Sequence, residues 1–160
     1  MQAVGETDVQ WKNASAFMAN DVKAQAEITL KEFGAAEQSA RAALAAKEGW
    51  IIDPRTDERL KAGASTSIAL ALVGQGKLAE ARQVIEPVVK LHRELAGKNR
   101  GDQIQKVEMA AALYAQALAD PARRAALLQE SQALLASLPA SVKALASTRS
   151  WTNRVREAVG

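Results

Sequence analysis

The residues able to do chemistry are few and scattered. His92 is the single histidine. A metal or a proton-transfer role would need partner ligands or a carboxylate at ligand spacing, which Arg93 and Glu94 do not provide. Near the end of a helical pattern, His92 is expected to be a solvated imidazole favoured by the helix dipole. Cysteine is absent, which removes thiolate metal sites, a cysteine nucleophile and disulfides together. The segment VGQGK, Val73 to Lys77, has two glycines and a lysine, but no strand precedes it and Leu78 follows where a phosphate loop needs Ser or Thr. It is a turn. Lys98, Arg100, Lys106, Arg123 and Arg124 are candidates for a phosphate-binding or acid-binding patch, weighed against scattered solvated charge. Trp50 and Trp151 are candidates for partner anchors, weighed against core and cap duty. No nucleophile elbow, dinucleotide fingerprint or paired-carboxylate constellation occurs. No catalytic residue, no metal ligand and no cofactor is therefore expected.

The chain that must position these groups has 160 residues, enough for one domain (residues 1–160) with a substantial core. Apolar residues make up 48% and aromatics 4%, with much alanine and only four prolines, a composition suited to helices packed through small side chains. The fold class expected is all-α. The net charge of +3 is small, and Lys and Arg are interleaved with Asp and Glu along most helical stretches, so nucleic acid is not an expected partner. No run of about 18 apolar residues exists to span a membrane, and MQAVGETDVQW lacks the basic and then apolar secretory pattern. No membrane association is expected, and the cytoplasm is the favoured compartment. Met1 is followed closely by what reads as a mid-array helix, so the chain is expected to be a domain of a longer protein.

The clearest organised stretch is Ser65 to Leu91. Ile68, Ala69, Leu72 and Val73 recur at helical spacing in one arm, and Leu78, Ala81, Val84, Ile85 and Val88 form a matching stripe in the next. Gly74 and Gly76 between them are expected to supply positive backbone angles, with Lys77 and Glu80 on the solvated rim. A first helix is expected from about Asp8 to Phe33, burying Trp11, Ala14, Met18, Val22, Ala26 and Leu30 with Phe17 and Phe33 beside them, and stopped by Gly34. A second follows to about Glu48. In the connector Gly49 to Asp57, Asp53 reads as a cap before Pro54, with Asp57 the alternative cap of a later start, and Trp50, Ile51 and Ile52 are expected to pack over a seam. Pro87 is expected to bend the fourth helix without ending it. Asp102 caps a fifth helix, Gln103 to Ala119, and Pro121 opens a sixth that Pro139 ends. Val142, Leu145, Trp151 and Val155 are expected to cover the last flank.

The middle stretch resembles a tetratricopeptide repeat, through Ile68 and Ala69, Leu72, Gly76, and Ala81 after Glu80. Looser matches lie at Ala26, Leu30 and Gly34 and at Tyr114, Ala115, Leu118 and Pro139. Glu27, Ala69 and Ala115 are 42 and 46 residues apart, longer than the commonest repeat of about 34. The resemblance implies a right-handed solenoid of about three antiparallel hairpins, at about 8–48, 54–95 and 102–139, with a C-terminal cap at 140–159. It also implies a non-catalytic scaffold, as in interaction segments of larger bacterial regulatory proteins, that binds a protein or peptide in a concave groove. Groove positions carried over from the family are Asp21, Ala24, Ile28 and Lys31, then Gly63, Thr66, Leu70 and Val73, then Gln105, Met109, Gln116 and Ala119. The alternative is an oligomerisation or ligand-sensing module, with a second copy of the chain as partner.

Overall fold

A computed structural model describes residues 3–160, with side chains from Glu6 onward. Eight helices and no strand occur among the described residues: α1 (Ala3–Thr29), α2 (Phe33–Glu48), α3 (Pro54–Gly74), α4 (Leu78–Lys98), α5 (Gln103–Ala119), α6 (Arg124–Ala136), α7 (Ala140–Lys143) and α8 (Ala146–Val159). Helices account for 84% of the described residues. The chain divides into a unit ending at Lys77 and a unit running from Leu78 to Gly160.

In the first unit α2 packs on both α1 and α3. The turn after α1 is made by Lys31, not Gly34. Lys31 has φ 63°, its N–H reaches the carbonyl of Ile28 at 3.1 Å, and the Glu32 N–H reaches Glu27 at 2.8 Å. These two bonds, six-to-one and five-to-two, satisfy carbonyls at the end of the helix. Gly34 lies inside α2. The same pair of bonds closes α3, from the Gly76 N–H to Val73 and the Lys77 N–H to Leu72, both 2.9 Å, and here glycine supplies the left-handed residue at φ 77°. Gly74 is helical instead, and what it contributes is space for the ring of Phe33.

Asp53 caps α3 as expected, its carboxylate accepting from the Thr56 N–H at 2.9 Å with Pro54 in the first turn. The connector before it is tied to α1 by two amide side chains. Gln10 and Asn13 donate to the Gly49 carbonyl at 3.0 and 2.8 Å, and Gln10 accepts from the Ile51 N–H at 2.7 Å. Trp50 packs against Phe17 with ring centroids 5.9 Å apart, within a cluster that includes Ala43 and Ala64. Ile51 points outward, 83% exposed, because the two amides hold its backbone at the surface. Lys47 is fully buried beneath this loop, paired with Asp57, bonded to the Trp50 carbonyl and lying over the Trp50 ring.

In the second unit α5 lies between α4 and α6 and also touches α8, so it is buried along almost its whole circumference. Its alanines, Ala110, Ala112, Ala115 and Ala117, are fully buried and let neighbouring helices approach closely. Asp102 caps it through the Gln105 N–H at 2.9 Å. Ser131 on α6 donates to the Ala110 carbonyl at 2.7 Å, satisfying a buried hydroxyl across that contact. Pro121 sits in the turn before α6 and does not open the helix, because residues 121–123 form a turn in which the Asp120 carboxylate holds the Arg123 guanidinium at 2.6 Å. Val155 of α8 joins Val107, Leu135 and Leu138 in the core, with Tyr114 and Trp151 edge to face at 6.1 Å. Leu145 is half exposed and Arg154 lies over the Trp151 ring.

A candidate interaction surface on α1

α1 carries two apolar faces. Phe17, Ala24 and Ile28 point inward, together with Glu27. The stripe expected to be buried points the other way: Trp11 is 68% exposed, Met18 52%, Val22 64% and Leu30 68%. The two faces lie on opposite sides of the helix. Monomeric proteins rarely leave a continuous apolar stripe of this kind in water, and where one exists it marks a binding surface. Beside it a shallow cleft of about 540 Å³ is lined by Thr7, Gln10, Trp11, Ala14, Ser15, Met18 and Trp50. The connector therefore does two jobs, covering Phe17 from one side of Trp50 and forming a cleft wall with another.

Of the twelve expected groove positions, eight are buried. Thr66 and Leu70 on α3, Gln105, Met109, Gln116 and Ala119 on α5, and Ala24 and Ile28 on α1 all have little accessible surface. Asp21 is half buried and burial raises its carboxyl above the usual range. Val73 is half buried, and Lys31 and Gly63 are open, the backbone of Lys31 making the turn. Thr66 returns its hydroxyl to the Ala62 carbonyl at 2.9 Å. Gln105 is held inside by a 2.7 Å bond between its Nε2 and Nδ1 of His92. His92 is thus an interior residue, 1% exposed, and not the solvated imidazole its sequence position implied. A lone His beside Arg and Glu gives no sign of the glutamine 13 residues later that receives it.

Two of the candidate basic residues have partners within the second unit. Arg123 is spent on Asp120 and on Glu86 at 3.4 Å, and Arg124 approaches the Ala158 carbonyl at 3.5 Å. A cleft of about 350 Å³ against α6 and α8 has a floor of Leu135 and Val155 with Lys143, Arg149 and Arg156 among its lining. Among the described residues no group of three His, Asp or Glu side chains is placed to hold a metal ion, and no helix is long and apolar enough to cross a membrane.

No protein-family model, no curated protein and no solved structure matches the chain.

Proposed function

We propose that the chain is a non-catalytic protein-interaction scaffold, a tetratricopeptide-like array of helical hairpins that recognises another protein surface through the outer face of α1. The observation that carries this is the exposure of Trp11, Met18, Val22 and Leu30 on one side of a helix whose other side already supplies Phe17, Ala24 and Ile28 to the interior. Burying large apolar side chains contributes about 1.5–3 kcal/mol each, so a partner covering four of them has ample driving force for association. The array part of the proposal is supported, within each unit, by helices that pack with their sequence neighbours, α1 with α2 and α5 with α6. The binding face we place on α1 and not in the groove implied by the family, since a ligand cannot reach Gln105 or Met109 without opening the unit that buries them.

The test is affinity capture from the organism that encodes the chain, using the native sequence and Val22→Glu side by side. A protein retained by the native chain and lost with Val22→Glu supports the proposal. Identical capture by both, with Glu80→Gln as a matched surface control, overturns it.

A further inference from the structure

Resting on α1 as the binding surface, the pattern of its outer face points to a second copy of this chain as the occupant, docked antiparallel across a two-fold axis. Trp11, Ser15, Ala19, Val22, Ala26 and Leu30 are all exposed and recur at four-residue steps with one three-residue step at the centre, so they share one side of the helix. The order is nearly palindromic about the midpoint between Asn20 and Asp21. Stepping outward, Ala19 mirrors Val22, Ser15 mirrors Ala26, and Trp11 mirrors Leu30. Antiparallel pairing across a two-fold axis puts residue i on residue j and j on i, and the mirrored spacing lets this one stripe face itself along its whole length. Antiparallel pairing sets the large Trp11 of each copy against Leu30 of the other at the two ends. Between them Ser15, Ala19 and Ala26 keep the centre thin enough for axes about 8 Å apart.

Charge selects the same orientation. Asp8 is exposed at the N-terminal end of this face, and Lys12 and Lys23 are exposed along one margin of it. Parallel pairing would stack each on its own copy, aspartate on aspartate and lysine on lysine, a repulsive arrangement. In the antiparallel register Lys12 lies opposite Thr29 and Lys23 opposite Met18, so neither lysine stands opposite its own copy. The face spans roughly 30 Å from Trp11 to Leu30, the full length of a paired-helix contact.

The experiment uses the intact chain, which has no cysteine of its own. Light scattering at micromolar and submillimolar protein is expected to show a mass rising from 17.0 kDa toward twice that value, and Val22→Glu is expected to weaken the association by about tenfold or more. Single variants Ser15→Cys and Ala26→Cys, checked for native dichroism, are then mixed under mild oxidation. A disulfide joining position 15 of one chain to position 26 of the other is expected to dominate, since position 15 lies about 16 Å along the axis from its own symmetry mate. A strictly monomeric chain at submillimolar concentration, or a preference for 15–15 and 26–26 links, overturns the second-copy proposal. Those results leave the α1 surface itself standing if Val22→Glu still abolishes capture of another protein, and that surface falls only if capture is indifferent to the substitution.

Discussion

The Phe33 ring lies against the backbone of Gly74, so close that a Cβ added at residue 74 would stand 2.3 Å from its carbons. The contact joins the start of α2 to the end of α3, and it sits beside a polar cluster doing the same. Glu37 accepts from Gln75 at 2.8 Å and from Arg41 at 2.9 Å, and lies 3.6 Å from Lys77. Gly74→Ala is therefore expected to destabilise by about 1–3 kcal/mol through overpacking, even though alanine is the better helix former. Shortening the ring in Gly74→Ala with Phe33→Leu should recover part of the loss. Chemical denaturation of the two singles and the double measures that coupling.

Lys31 carries the opposite lesson, a side chain where the backbone asks for none. Its left-handed geometry is one that a Cβ disfavours. Lys31→Gly is expected to raise the stability of the first unit by about 0.5–1 kcal/mol, and a fall in the denaturation midpoint would contradict the assignment of the turn.

His92 and Gln105 form a buried polar pair in the second unit. Truncation at His92→Ala leaves the Gln105 amide without that partner and opens a cavity, so a loss of about 2–4 kcal/mol is expected. Placing Glu at both Met109 and Gln116 is likewise expected to unfold the second unit, because both are buried. Urea titration followed by helical dichroism checks both.

How much of this was legible in the sequence depends on how local each signal is. The caps at Asp53 and Asp102 and the limits of α5 follow from side chains acting within one turn of their own position, and they stand in the structure where the sequence put them. Periodicity also gathered Trp11, Met18, Val22 and Leu30 onto one face, which they share. It could not say that the face looks outward, because α1 has a second set, Phe17, Ala24 and Ile28, and only tertiary packing chooses between them. Gly34 was the obvious helix stop, yet the turn falls at Lys31, where the register of α2 against α1 decides the matter. Lys47 beneath Trp50 and His92 beside Gln105 depend on pairings with no spacing rule to announce them. The candidate groove was carried from a family pattern, and its positions on α5 meet a helix enclosed nearly all round.

Acid should weaken the fold. The Asp57 carboxyl is held below its usual range by the Lys47 and Lys61 ammonium groups, Glu37 by Gln75 and Arg41, and Asp120 by Arg123. A carboxylate whose pKa is lower folded than unfolded stabilises the protein above its unfolded value, and that contribution is lost as pH falls through the folded one. Asp21, raised by burial, acts in the reverse sense and offsets part of the effect. Denaturation midpoints are expected to fall between about pH 6 and about pH 3, and Asp57→Asn should flatten that dependence.

The account turns on which side of α1 faces water. Urea unfolding at sub-micromolar protein, where self-association cannot contribute, compares Val22→Glu with Phe17→Ala on opposite faces of the same helix. The first is expected to change stability by no more than about 0.5 kcal/mol, and the second to lower it by about 3–5 kcal/mol. The reverse ranking, with Val22→Glu severe and Phe17→Ala mild, would place the Trp11 to Leu30 stripe in the interior and remove the surface on which the function is proposed.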